Sequence, residues 1–238
     1  MNINIKDDRR TGFTLIELLI VISIVAILAV ALIFVLNPAE TLKKSRDAQR
    51  ISDLSTLKSA IGIYTTSTTT PQLAGTSNTA CKTGVAGGSY AAGDKIFYTL
   101  ATTTPITDAT LDGGAAGVPA PWQVLSASLT LTDGTGWLPI NLESLIGGSP
   151  VANLPVDPIN TIADLTSISG VAIGSVPPDY VYRYACNETT FTYEIDAILE
   201  SQTYTTAPES KMTKDGGNNS AYYEVGTNLK ILGAGTDF

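Results

Sequence analysis

Residues 12–36 read Gly12-Phe13-Thr14-Leu15-Ile16-Glu17, then LLIVISIVAILAVALIFVL from Leu18 to Leu36. The run is long enough to cross a bilayer, which takes about 20 apolar residues. It carries one charged group, Glu17. Burying a carboxylate in hydrocarbon costs on the order of 3 kcal/mol, so an acid there needs a partner and a purpose. Lys6, Arg9 and Arg10 stand just before the run. Basic residues of that kind stay on the cytoplasmic side, which puts the rest of the chain outside. An ordinary secretory signal has a shorter apolar core followed by a small-residue cleavage site. Here the glycine comes first.

Gly12-Phe13-Thr14-Leu15-Ile16-Glu17, behind basic residues, resembles the class III signal of type IV pilins and type II secretion pseudopilins. The resemblance implies a leader of residues 1–12, removed by a prepilin peptidase between Gly12 and Phe13. Phe13 then becomes the N-methylated terminus, and Glu17 becomes the fifth residue of the mature chain. Its carboxylate would neutralise the Phe13 ammonium of a neighbouring subunit, so that neither charge stays alone in the apolar layer and only one axial stagger is allowed.

The chain has 238 residues, 15% of them charged, and a net charge of −8. Residues 1–58 hold eight Lys/Arg against six Asp/Glu, whereas residues 59–238 hold six against sixteen. An acidic head repels nucleic-acid phosphate, so direct DNA binding by it is disfavoured. A basic segment next to a bilayer meets lipid headgroups instead. Cys81 and Cys186 are the only cysteines. An even count in an exported head reads as a disulfide, with two buried free thiols as the alternative.

Residues 13–36 are expected to be helical. In Asn37-Pro38-Ala39-Glu40 the asparagine suits an N-cap, the proline a first helical position and the glutamate a capping-box partner, so the helix is interrupted and restarts. A second, amphipathic helix is expected over 37–64, with Leu54, Leu57, Ile61 and Tyr64 as its apolar stripe and Lys43, Lys44, Arg46, Asp47, Arg50 and Asp53 before or beside it. Thr65–Pro71 should end it. Strands are predicted over Lys95–Leu100, Gln123–Leu131, Tyr180–Cys186, Phe191–Leu199 and Ala221–Leu232, with loops at Asp112–Gly117 and Gly134–Gly136. In Phe191–Leu199, Tyr193, Ile195, Ala197 and Leu199 alternate with Thr192, Glu194 and Asp196, the pattern of a half-buried hairpin with Glu194 and Asp196 on the solvated face. The expected class is α+β. It resembles the pilin fold: a long N-terminal helix, transmembrane in its first half, packed through its second half on the small antiparallel sheet of a β-rich head (65–238). Leu154-Pro155-Val156-Asp157-Pro158, a tyrosine-rich strand and a Gly-rich acidic loop resemble the major pseudopilin branch.

There is no histidine, which excludes Ser-His-Asp and Cys-His catalysis, and no P-loop motif is present. The chain reads as a structural subunit and not an enzyme: a single-pass precursor in the cytoplasmic membrane, later a filament in the envelope or at the surface. By resemblance its partners are neighbouring subunits in a homopolymer, prepilin peptidase, an assembly ATPase and a platform protein. The alternatives are a membrane-anchored extracytoplasmic binding protein that does not polymerise, and an exported enzyme using carboxylates alone. No cofactor is required. Lys214-Asp215-Gly216-Gly217-Asn218-Asn219 offers oxygen ligands of the type calcium takes, with Asp215, Asn218 and Asn219 as the ligating residues, and the pseudopilin resemblance implies such an ion. Asn187-Glu188-Thr189 and Asn218-Asn219-Ser220 fit the glycosylation tripeptide.

Overall fold

The structure, a computed structural model, describes residues 12–83, 94–101, 122–124, 126–161, 180–206, 208 and 210–232. Residues 1–11, with Lys6, Arg9 and Arg10, the Asp112–Gly117 loop, and part of the 72–136 stretch lie outside the described residues. The chain divides into two compact units, residues 1–42 and 43–238.

In the first unit, helix α1 spans Leu15–Leu36. Leucine, isoleucine, valine and alanine fill it, and no proline or glycine interrupts it. Asn37 follows in the left-handed region (φ 37°), a conformation asparagine tolerates better than most side chains. The same residue opens helix α2, Pro38–Ser67. Its Oδ1 accepts from Glu40 N (3.4 Å) and its carbonyl accepts from Thr41 N (3.2 Å). Pro38, at the first helical position, lacks a donor that the helix would leave unused anyway. The helix runs three residues past the expected end at Tyr64. Thr65 and Thr66 fold their hydroxyls back onto the Gly62 carbonyl (3.1 and 2.8 Å), which accommodates the start of the threonine run within the last turn.

In the second unit, α2 from Lys43 onward packs on a five-stranded sheet of order β2-β1-β3-β4-β5. The strands are β1 Phe97–Ala101, β2 Trp122–Val124, β3 Arg183–Cys186, β4 Tyr193–Ala197 and β5 Tyr223–Gly226. Four of them, β1-β3-β4-β5, pair antiparallel. β2 pairs parallel to β1 at the edge, which differs from a purely antiparallel sheet. A parallel pair needs a connection of about a dozen residues or more, and residues 102–121 supply it. Only the first residues of the expected Gln123–Leu131 strand are extended; residues 126–130 form turns.

Tyrosine rings join sheet to helix. Tyr182, Tyr184 and Tyr193 are buried, and their hydroxyls reach Asp53 Oδ2 (2.8 Å), the Leu73 carbonyl (2.9 Å) and the Lys58 carbonyl (3.0 Å). Each therefore fills core volume without leaving a buried hydroxyl unmet. Leu54, Leu57, Ile61 and Tyr64 lie in this core with Phe97 and Trp137. Trp137 Nε1 donates to the Pro155 carbonyl (2.9 Å), which seats the Leu154–Pro158 segment. A disulfide joins Cys81 to Cys186, tying the segment after α2 to β3. Closing a loop of 105 residues is worth about 5 kcal/mol in the chain-entropy model.

Asp47 and Arg50, among the charged residues before or beside the apolar stripe, are fully buried. Arg50 Nε and Nη2 grip both oxygens of Asp157 (2.6 and 3.0 Å), and Nη1 reaches Asp47 Oδ1 (2.9 Å) and Glu200 Oε1 (2.5 Å). Asp47 in turn accepts from the Glu200 and Ser201 amides. Glu194 and Asp196 are also buried, not solvated, because the second face of β4 is covered by residues of the C-terminal segment 210–232.

Candidate functional site: the N-terminal segment

Phe13, Thr14 and Glu17 are brought together by the start of α1. Thr14 is its N-cap, with extended backbone (φ −77°, ψ 150°). Glu17 N donates to Thr14 Oγ1 (3.3 Å), while Thr14 N and Oγ1 both donate to Glu17 Oε2 (2.8 Å each). This reciprocal capping box satisfies two amides that a helix start leaves without intrahelical partners. Glu17 Oε1 takes no hydrogen bond among the described residues. The carboxylate thus has one oxygen held by its own chain and one open. Its place in the first turn also suits the positive end of the helix dipole.

Thr14 adds a functional residue to the segment, and Thr-x-x-Glu ahead of an apolar run is the sequence signal for it. Phe13 is 92% exposed. At Gly12 an added Cβ would meet nothing within 4 Å among the described residues, and the backbone is not left-handed. The fold of this segment therefore places no steric demand for glycine there.

Leu15–Leu32 is long and apolar enough to cross a membrane, and none of it is buried among the described residues. Large apolar side chains point outward all round, from Leu15 to Leu32. A helix that is apolar on every face is at home in lipid or in a multi-helix core.

The head supplies no comparable opening at the other residues singled out. Asp215, Asn218 and Asn219 share one loop, but Asp215 Oδ1 and Oδ2 accept from the Gly217 and Glu224 amides (3.0 and 2.9 Å). Asn219 Oδ1 accepts from Ala221 N (3.0 Å). Among the described residues no group of three His, Cys, Asp or Glu is placed to hold a metal. Asn187 is buried; its Oδ1 accepts from Thr189 N and Thr190 N (3.0 Å each), which builds the β3–β4 turn. Near α2, burial raises the Asp53 carboxyl even though the Tyr182 hydroxyl hydrogen-bonds to it, whereas Arg46 and Arg50 outweigh burial at Glu200 and lower it.

Residues 7–33 match the family described as the prokaryotic N-terminal methylation motif, which is typical of type IV pilin-like proteins. The match spans Gly12 and Phe13, the capping box and most of α1. No curated protein matches the chain. No solved structure matches it either. The chain thus carries a prepilin-type signal, and its apolar N-terminal helix fits a membrane-anchored precursor.

Proposed function

We propose that this protein is a structural subunit which, after leader removal, polymerises through α1 into a type IV pilus-like filament or a type II secretion pseudopilus. The observation that carries this reading is the half-satisfied carboxylate of Glu17 at the head of a helix with no buried face. Cleavage between Gly12 and Phe13 creates an ammonium on Phe13. A neighbour's Glu17, with its free Oε1, neutralises that ammonium, and apolar helices of adjacent subunits cover one another. Gly12 fits the reading because the chain itself does not need a glycine there; the demand comes from the peptidase that must bring the peptide bond into its site. Assembly draws on an ATPase and a platform protein, since the subunit carries no nucleotide motif. The acidic head makes DNA an unfavourable ligand.

The test is Glu17→Ala in cells carrying the assembly machinery. We expect the variant to insert and lose its leader but to yield no filaments by electron microscopy. Normal filaments would refute the assembly role. A wild-type chain that is processed but stays monomeric in that setting would instead identify a tethered binding protein.

A further inference from the structure

Early in α2 stand two exposed lysines, Lys43 and Lys44. Neither makes an ion pair among the described residues. The arginines of the same turns are spent inside the head: Arg50 is buried among Asp47, Asp157 and Glu200, and Arg46 forks onto both oxygens of Glu200 (2.8 and 2.6 Å). Asp47 also takes the Glu200 and Ser201 amides (2.9 and 2.7 Å). Those bonds pin the single helical turn Gln202–Thr205 against α2. Half-buried Tyr204 in that turn lies beside Lys44, whose Nζ stands 6.0 Å from the centre of its ring. The Lys211 amide donates to the Tyr204 carbonyl (2.7 Å), so the adjoining segment carries a third exposed lysine to this place. Three lysines and a tyrosine thus share one edge of a head whose residues 59–238 hold six Lys/Arg against sixteen Asp/Glu.

Chain length bounds how far this edge can stand from a bilayer that holds α1. The apolar helix ends at Leu36 and α2 begins at Pro38. From Pro38 to Lys43 is only about 8 Å of helix. The headgroup layer is itself about 5–8 Å deep on each side of the hydrocarbon. A lysine adds the reach of its own four-carbon stem. Lys43 and Lys44 therefore fall in or just above that layer, whatever angle the chain takes at Asn37. Lys58, also exposed, lies about 22 Å farther along α2. An ammonium meets phosphate as a point charge, and tyrosine suits a boundary that is apolar on one side and wet on the other. An anionic surface repels the acidic remainder of the head, so the charges that attract this edge also orient it.

We propose that Lys43, Lys44 and Lys211, with Tyr204 between them, form a docking edge for anionic phospholipid headgroups, which holds the head against the membrane surface before assembly. This rests on the reading that α1 is seated in a bilayer.

The test is amine acylation of the full chain in vesicles of phosphatidylcholine, with and without about one-third phosphatidylglycerol, using a membrane-permeant reagent and peptide mass spectrometry. Lys43, Lys44 and Lys211 should react about fivefold more slowly in the anionic vesicles, with Lys58 unchanged as the internal reference. Salt at about 0.5 M should abolish the difference, and a slowing that survives it overturns the proposal. Lys211→Glu should return Lys43 and Lys44 toward their rates in phosphatidylcholine. The head's melting temperature should not move, because that side chain is exposed and the amide bond to Tyr204 remains. If Lys211→Glu leaves the slowing at Lys43 and Lys44 intact, the head takes no part and the docking edge is overturned. Equal rates in the two lipids, from a chain that resists alkaline extraction, overturn the edge and leave the membrane seat of α1 standing. A chain that alkali strips from the vesicles overturns both.

Discussion

Glu17 and Glu194 are two glutamates in apolar surroundings, and the chain treats them in opposite ways. Around Glu194 the donors are the chain's own, the Ile231 and Leu232 amides that both reach Oε2. Around Glu17 the chain supplies one threonine and leaves one oxygen open on a helix whose side chains face outward. The contrast extends to whole regions. In unit 43–238 the charged groups on α2 close on the head's own residues, as Arg50 does with Asp47, Asp157 and Glu200. In unit 1–42 none of the apolar stretch Leu15–Leu32 is buried among the described residues. A region that satisfies itself reports on stability. A region left unsatisfied reports on what it is built to meet.

This separation can be broken by variants that should affect one region and spare the other. The largest effect belongs to Gly12→Val. We expect complete retention of the leader, seen as the unprocessed mass of the cell-purified chain, with the melting temperature of the head unchanged. A processed Gly12→Val chain would mean that the glycine is not read by a peptidase. Next is Asp157→Ala, which leaves Arg50 buried without its bidentate partner. Losing one member of a buried ion pair costs about 3–5 kcal/mol, so thermal unfolding should show a severely destabilised head while leader cleavage continues. Replacing Cys81 and Cys186 together by serine should cost about 2–5 kcal/mol, read from denaturant midpoints, again without effect on processing. The smallest effect expected is from Tyr182→Phe, which removes the hydrogen bond to Asp53 and costs about 1 kcal/mol. A loss of several kcal/mol there would show that the Tyr182–Asp53 contact organises more of the helix–sheet interface than a single bond.

The sequence made the N-terminal segment readable because its physics is local. A long apolar run, one acid and a preceding glycine need no tertiary context. The α+β class was legible for a related reason. The stripe Leu54, Leu57, Ile61 and Tyr64 has helical spacing, and the Tyr180–Cys186 and Phe191–Leu199 segments alternate as strands do. What escaped was burial of charge. Alternation in β4 tells which side chains share a face but not whether that face is covered, and Glu194 and Asp196 were therefore assigned to solvent. Their cover comes from residues up to 38 positions later in the chain, Ile231 and Leu232. Likewise the partner of Arg50 is 107 positions away, at Asp157. One clue lay in the register. Arg183 stands opposite Asp196 across the β3–β4 pair, a charge match with little purpose on a wet surface. The Thr14–Glu17 box is equally local, a Thr-x-x-Glu pattern directly ahead of an apolar run.

The Cys81–Cys186 bond has a consequence for how the chain meets a protease. Any single protease cut between these two positions leaves both fragments covalently joined. Nearly half of the polypeptide can thus be nicked once without shedding either piece, and damage of that kind would show on a gel only after reduction.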